Sequence, residues 1–369
     1  MQKKIKVLHF IPGFKFGGIE TTFFNIVKNI NHDEYQLELL VEDLSQQHLV
    51  EEIEAYGVRV SKIPKYTYKN FFTYYKNIDE FLKGKKFDII HSYNITRSPI
   101  LFFSAIKNKI SKRVFHARTS LSSTNYFKRA IFRVFIIIST KFSTHQLANS
   151  LITKDYFFGK SSAEIIPNSI QISDYIFDLN TRTAIRKKFN INQEKIVIGH
   201  VGRFTDAKNH AFIIDIMDSL RKKSKKFILL LVGDGPLMPA IQKKVKEYSL
   251  ENDVIFVGSQ ENVSDYYQAM DFFLFPSLYE GFGNVILESQ ANGLNVLTSE
   301  NVTKEVKVVD GIEFKSLNDS SEKWADKIIE MITLPSRQEI NYNKLLKSKF
   351  NVSQNVKILE EYYRSLLHN

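Results

Sequence analysis

Two glutamates, Glu280 and Glu288, bracket the segment Glu280-Gly-Phe-Gly-Asn-Val-Ile-Leu-Glu288. It follows the apolar run Phe272-Phe-Leu-Phe275 and the breaker Pro276-Ser277, so a strand, a glycine-bearing turn and a helix start lie close together. Gly281 and Gly283 let backbone approach a ligand, and the first helical N–H groups point into the same space. Glu288 lies four residues after Asn284 and shares a helix face with it. One carboxylate then precedes an anion-binding helix start and a second sits one turn inside it. A ligand with hydroxyls at both ends and phosphates between would suit such a site. The alternative is dipole compensation and capping, which also places glutamate at helix starts.

Further candidates lie upstream. Gly13-Phe-Lys-Phe-Gly-Gly-Ile-Glu20 follows the first apolar run and opens a helix, so Gly17 and Gly18 offer a phosphate or sugar cradle. It is neither a dinucleotide fingerprint nor a Walker loop. In Gly199-His-Val-Gly-Arg203-Phe-Thr-Asp-Ala-Lys208, Arg203 and Lys208 leave the carboxyl end of a strand. A planar fork and a mobile point charge suit a pyrophosphate; the alternative is two solvated surface charges. His116 ends the run Arg113-Val-Phe-His116 and is either a packing residue or a catalyst. Asn168 stands at a turn. Motifs of serine hydrolases, zinc proteases and EF-hands are absent. So is Asp-x-Asp, the common carboxylate pair for a nucleotide-bound metal.

Runs at residues 6–11, 36–41, 58–63, 87–91, 113–116 and 145–148 read as strands, with helices at 19–30, 70–82 and 98–106 between them. The pattern restarts at 196–201, 227–232, 254–257, 272–275 and 295–297, and the tail 352–367 is helical. Strands alternating with helices imply parallel sheets covered on both faces. The fold class is therefore α/β, with two doubly wound domains that bind ligands outside the carboxyl ends of their strands. The boundaries fall at 1–170, 171–350 and a final helix at 351–369 that packs back toward the first domain.

The 369 residues exceed one ordinary core, and 43% hydrophobic with 25% charged content is that of a soluble globular protein. Without cysteine there are no disulfides or thiolate metal sites, which fits a reducing cytoplasm. The net charge of +11 is concentrated: residues 55–141 hold 18 lysines and arginines against three acids. That half has an anionic partner or a strongly basic face. Lys69, Lys76 and Lys83 recur along one helix beside an apolar stripe of Phe71, Tyr75, Ile78 and Leu82. The segment 126–142 is basic and aromatic-aliphatic, as for a helix at a membrane interface. No run is long enough to span a bilayer or form a signal-peptide core.

The order Gly17-Gly18, Arg203 with Lys208, Gly233-Asp-Gly-Pro236, then Pro276-Ser-x-x-Glu280-Gly-Phe-Gly with Glu288 resembles glycosyltransferase family 4 across nearly the whole chain. Gly-Gly-Ile-Glu-Thr and Val-Phe-His-Ala-Arg-Thr look most like members that build capsule or exopolysaccharide. The resemblance implies the GT-B architecture, two Rossmann-like domains facing across a cleft, and retaining transfer from a nucleotide diphosphate sugar, UDP-sugar favoured, without metal or other cofactor. It implies Glu280 and His116 at the donor sugar and Glu288 on the ribose. Arg203, Lys208, Gly18 and the N–H groups of Gly283, Asn284 and Val285 fall to the diphosphate. Phe282 belongs to the same turn, and backbone near Val263 meets the base. The family reads Pro-Asn-Gly-hydrophobic-Asp at the domain join; here Pro167-Asn-Ser-Ile-Gln171 argues against a ligand role there.

The expected partners are the donor, a glycan or lipid-linked acceptor, and an anionic membrane surface under the basic first domain. The expected location is the cytoplasm, peripheral at the inner face of the cell membrane. An epimerase on the same fold is the enzymatic alternative. Charge alone would suggest nucleic-acid binding, but no motif accompanies it, so no nucleic acid is expected.

Overall fold

The run Phe227-Ile-Leu-Leu-Leu-Val232 has apolar side chains on both faces, and they enter two different cores: Phe227, Leu229 and Leu231 in one, Ile228, Leu230 and Val232 in the other. The same alternation divides Phe272 and Leu274 from Phe273 and Phe275. Such strands must be covered on both sides, and helices cover them. The computed structural model describes residues 3–13, 18–43, 47–118, 126–159, 161–337 and 339–368. The chain divides into one unit of residues 1–169 with 352–369 and a second of 170–351.

The first unit runs β1 (Ile5–Phe10), α1 (Gly18–Asn29), β2 (Tyr35–Val41), α2 (Gln47–Ala55), β3 (Arg59–Lys62), α3 (Phe71–Leu82), β4 (Ile89–Ser92), α4 (Ser98–Lys107), β5 (Lys112–Ala117), α5 (Tyr126–Phe142), β6 (His145–Ala148), α6 (Leu151–Phe158) and β7 (Glu164–Ile165). The second runs α7 (Leu179–Lys188), β8 (Ile196–Val201), α8 (His210–Lys223), β9 (Phe227–Val232), α9 (Met238–Glu247), β10 (Val254–Gly258), α10 (Ser264–Ala269), β11 (Phe272–Phe275), α11 (Asn284–Ala291), β12 (Asn295–Ser299), β13 (Ile312–Lys315), α12 (Ser321–Ile332) and α13 (Glu339–Leu346). The last helix, α14 (Val352–His368), belongs to the first unit, where Val356, Leu359 and Tyr363 join the core with α1 and β1–β2 residues.

The sheet orders are β3-β2-β1-β4-β5-β6-β7 and β10-β9-β8-β11-β12-β13, with neighbouring strands parallel throughout. Both are doubly wound α/β sheets. β7 and β13 escape the sequence reading: β7 has two residues, and β13 interrupts its apolar pattern with Glu313.

α3 corrects one expectation. Its buried stripe is Tyr74, Ile78 and Leu82, at a spacing of four, whereas Phe71 opens the helix and is exposed. Lys69 and Lys83 lie just outside α3, and Lys76 pairs with Glu80 at 3.8 Å. Among the described residues no helix is long and apolar enough to cross a membrane.

Candidate active site

Doubly wound sheets leave a crevice where successive crossovers depart in opposite directions, outside the carboxyl ends of the two central strands. In the second unit these strands are β8 and β11. The loops leaving them are tied together. Leu278 N–H donates to the Ala207 carbonyl at 2.8 Å, the Ser277 hydroxyl donates to the same oxygen at 2.6 Å, and the Asn209 amide donates to the Pro276 carbonyl at 3.1 Å. This brings the Lys208 ammonium onto the Glu280 carboxylate, with the Phe275 ring 4.6 Å from the cation. Gly235 follows β9 and lies so close to the Phe204 backbone that a Cβ would come within 2.6 Å of its carbonyl oxygen.

Gly283 precedes α11 with φ 90° and ψ 61°, a left-handed conformation that turns the chain into the helix. A Cβ there would meet Glu280 Cγ at 3.3 Å, so the turn packs against the first carboxylate. Glu288, in the second turn, accepts a 2.7 Å hydrogen bond from the Tyr267 hydroxyl. Burial pushes Glu288 up from 4.5 to about 7, while Tyr267 and the Lys208 cation act the other way. Tyr267 lies four residues after Val263, the residue that precedes α10, so the two share a helix face. Val285, Glu288, Lys208 and Glu280 thus form one neighbourhood around Tyr267 and α11, with Val263 one turn before Tyr267. Phe282 turns its ring inward against Phe350, at 5.5 Å between centroids, and offers a ligand its backbone. Arg203 is exposed, and among the described residues its guanidinium makes no hydrogen bond or ion pair. Among the described residues no cluster of acids and histidines is arranged for a metal.

In the first unit the corresponding crevice lies beyond β1 and β4. Gly18 is the first residue of α1; Gly17 lies outside the described residues. His9 pairs in register with His91 across β1 and β4, and His116 lies near the end of β5. All three are buried, as are Tyr93 and Tyr363. A chain of contacts joins them: Tyr93 hydroxyl to His9 Nδ1 at 3.0 Å, His9 Nε2 to Tyr363 hydroxyl at 3.5 Å, Tyr363 hydroxyl to His91 Nδ1 at 2.6 Å, and His91 Nε2 to His116 Nδ1 at 3.0 Å. Burial holds all three imidazoles below their ordinary range, so they are neutral at pH 7. The chain then has two concerted settings, with every Nε2 carrying hydrogen or every Nδ1 carrying it. His116 Nε2 has no partner among the described residues. Asn168 accepts from Arg118 and Asn149 and is part of the first unit's packing.

The profile described as glycosyl transferases group 1 matches residues 181–346, a span that contains Arg203, Lys208, Val263, Glu280 and Glu288. The putative glycosyltransferase EpsF of Bacillus subtilis is 28% identical over 97% of this chain and 96% of its own length. The capsular polysaccharide biosynthesis glycosyltransferase CapH of Staphylococcus aureus is 25% identical, covering 98% and 99%. The chain is a glycosyltransferase. The crystal structure of Anabaena HepE in complex with UDP and glucose superposes with a TM-score of 0.82 at 18% identity, over 98% of this chain and 100% of that one. Its likeness extends to the fold, and the architecture is GT-B.

Several residues of both sites went unread in the sequence. Tyr267 and Phe275 sit in aromatic runs that also make core, so nothing local distinguishes them. His200, near the end of β8, donates from Nδ1 to the Leu274 carbonyl at 2.9 Å and leaves Nε2 unpartnered among the described residues. Its position at a strand's carboxyl end, like that of His116, was the available signal. His9 and His91 also near the ends of their strands, but only the sheet order makes them neighbours.

Proposed function

We propose that the enzyme is a retaining, metal-independent transferase. It moves a sugar from a nucleotide diphosphate sugar, UDP-sugar favoured, to a lipid-linked or growing polysaccharide acceptor. The observation that carries this is the grouping of Lys208, Glu280, the start of α11 and Glu288 around the β8–β11 crevice. Arg203, Lys208 and the N–H groups of Gly283, Asn284 and Val285 neutralise the diphosphate. Glu280 and His116 hold the donor sugar's hydroxyls, Glu288 those of the ribose, and backbone near Val263 the base, with Phe282 shaping the turn. Residues 171–350 are thus the donor side and 1–170 the acceptor side.

The bond between the anomeric carbon and the diphosphate breaks first, through an oxocarbenium-like state. The acceptor hydroxyl then forms its bond on the face the diphosphate leaves, and its proton passes to the departing phosphate oxygen. Preorganised donors, rather than a covalent nucleophile, carry the rate. The name of CapH, a capsular polysaccharide biosynthesis glycosyltransferase, favours a polysaccharide acceptor.

The first unit has a face suited to an anionic membrane. Phe103 and Ile106 on α4 and Ile131, Val134 and Ile137 on α5 are exposed, and Phe72 on the neighbouring α3 is 83% exposed, in a stretch of chain rich in lysine and arginine. The deciding experiment is thermal stabilisation by uridine-, guanosine- and adenosine-diphosphate sugars, repeated with Glu288→Ala. Stabilisation by one base, lost in the variant, supports the assignment. Equal stabilisation of both proteins places the nucleotide elsewhere, and donor conversion without acceptor would identify an epimerase.

A further inference from the structure

Arg118 and Arg186 are the two arginines buried to 9% exposure or less among the described residues. They differ in one respect. Arg186 meets the Asp271 carboxylate at 2.5 Å. Among the described residues Arg118 has no carboxylate partner: its guanidinium donates to the Asn168 side-chain oxygen and lies 5.8 Å from the Tyr93 ring. A buried cation without an anion is costly, and proteins compensate such charges by pairing or with a ligand.

The surroundings of Arg118 also have open valences. The His116 ring is 5.5 Å from Tyr93; its buried Nε2 meets no partner in hydrogen-bond geometry among the described residues, although the Ile166 backbone acts on the ring and favours its protonated form. Asn149 donates to the Arg118 carbonyl and to Asn168, while its own buried side-chain oxygen has no partner there. Arg118 and His116 are two residues apart at the end of β5, so both project from one face.

We propose that Arg118, with His116 beside it, forms an oxyanion subsite in the first unit that takes a phosphate group. The planar fork of Arg118 grips two phosphate oxygens. An oxyanion selects the setting of the tyrosine–histidine chain in which His116 Nε2 carries hydrogen and donates. Desolvation of Arg118, which lowers its pKa to about 10, marks the same cost that the anion would relieve. This deepens the transferase reading and moves His116 Nε2 from the donor sugar's hydroxyls to a phosphate, that of a diphosphate-linked acceptor or of the donor nucleotide.

The test titrates the full-length chain with inorganic pyrophosphate and follows thermal unfolding, for the parent, Arg118→Met, Arg118→Lys and Lys208→Met. Losing the fork should weaken the apparent affinity on the order of tenfold to a hundredfold in Arg118→Met, with Arg118→Lys intermediate. Lys208→Met should lose only the part of the effect that belongs to the β8–β11 crevice and keep the part that Arg118→Met loses. If saturating UDP leaves the pyrophosphate effect in place, the acceptor's phosphate is the source; if UDP abolishes it and itself binds Arg118→Met more weakly, the donor's is. The proposal is overturned if pyrophosphate binds Arg118→Met and Arg118→Lys as it binds the parent, or if binding disappears in Lys208→Met alone. A chain that bound pyrophosphate through Arg118 but no nucleotide sugar would sink the donor assignment and leave this subsite standing.

Discussion

Replacing Glu288 by glutamine tests whether the second unit holds a protonated carboxyl. In the folded chain burial raises Glu288 from 4.5 to about 7. Between those values the native protein keeps a proton that the unfolded chain has released, so stability falls as pH rises. The loss begins above 4.5 and is complete once the pH passes about 7. A tenfold change in proton affinity is worth about 1.4 kcal/mol, which makes the whole interval about 3 kcal/mol. The side chain is half-buried, and its remaining solvent contact trims this to about 2 kcal/mol. Glutamine keeps the size and an oxygen for the Tyr267 hydroxyl but cannot ionise.

Glu288→Gln and the parent should therefore match in stability near pH 4, and the variant should be about 2 kcal/mol more stable near pH 8. The chain's single tryptophan, Trp324, is buried in the second unit, so its fluorescence during urea unfolding reports on the unit that carries Glu288. A stability difference that stays constant from pH 4 to 8 would show that the native carboxyl titrates like an exposed one, and the reasoning from burial would be wrong.

Lys208→Met removes the partner of Glu280 and should lower turnover on the order of a hundredfold while costing only about 1 kcal/mol of stability; intact turnover would remove Lys208 from the diphosphate. Gly283→Ala forces a side chain into left-handed backbone beside Glu280 and should destabilise the second unit by roughly 1–2 kcal/mol, read by Trp324 unfolding. The protein should pellet with anionic liposomes at low salt and be released at high salt. Val134→Ser combined with Ile137→Ser should abolish pelleting without changing the unfolding midpoint; unchanged pelleting would move the contact off α5.

Much of this protein is written locally. The runs at 145–148, 196–201, 227–232 and 272–275 coincide with β6, β8, β9 and β11, because alternate burial leaves an apolar signature within a few residues. The turn at 281–283 was legible because glycine is suited to the left-handed conformation observed at Gly283, and the carboxylates stood at a helical spacing from it. Exceptions came where local signals are weak: two-residue β7, and α3, whose first phenylalanine proved exposed while Tyr74 filled the stripe.

The sequence by itself determined two sets of parallel strands and the residue types at their carboxyl ends. Only the tertiary structure decided which ends meet. The order of strands puts β8 beside β11 and β1 beside β4, so that Lys208 finds Glu280 and His9 finds His91. It also brings Tyr363, from the last helix, between histidines hundreds of residues away, and leaves Arg118 buried without a carboxylate among the described residues. Periodicity records which face of an element is dry. Strand order, and hence the company each buried polar group keeps, depends on contacts across the chain that no local pattern encodes.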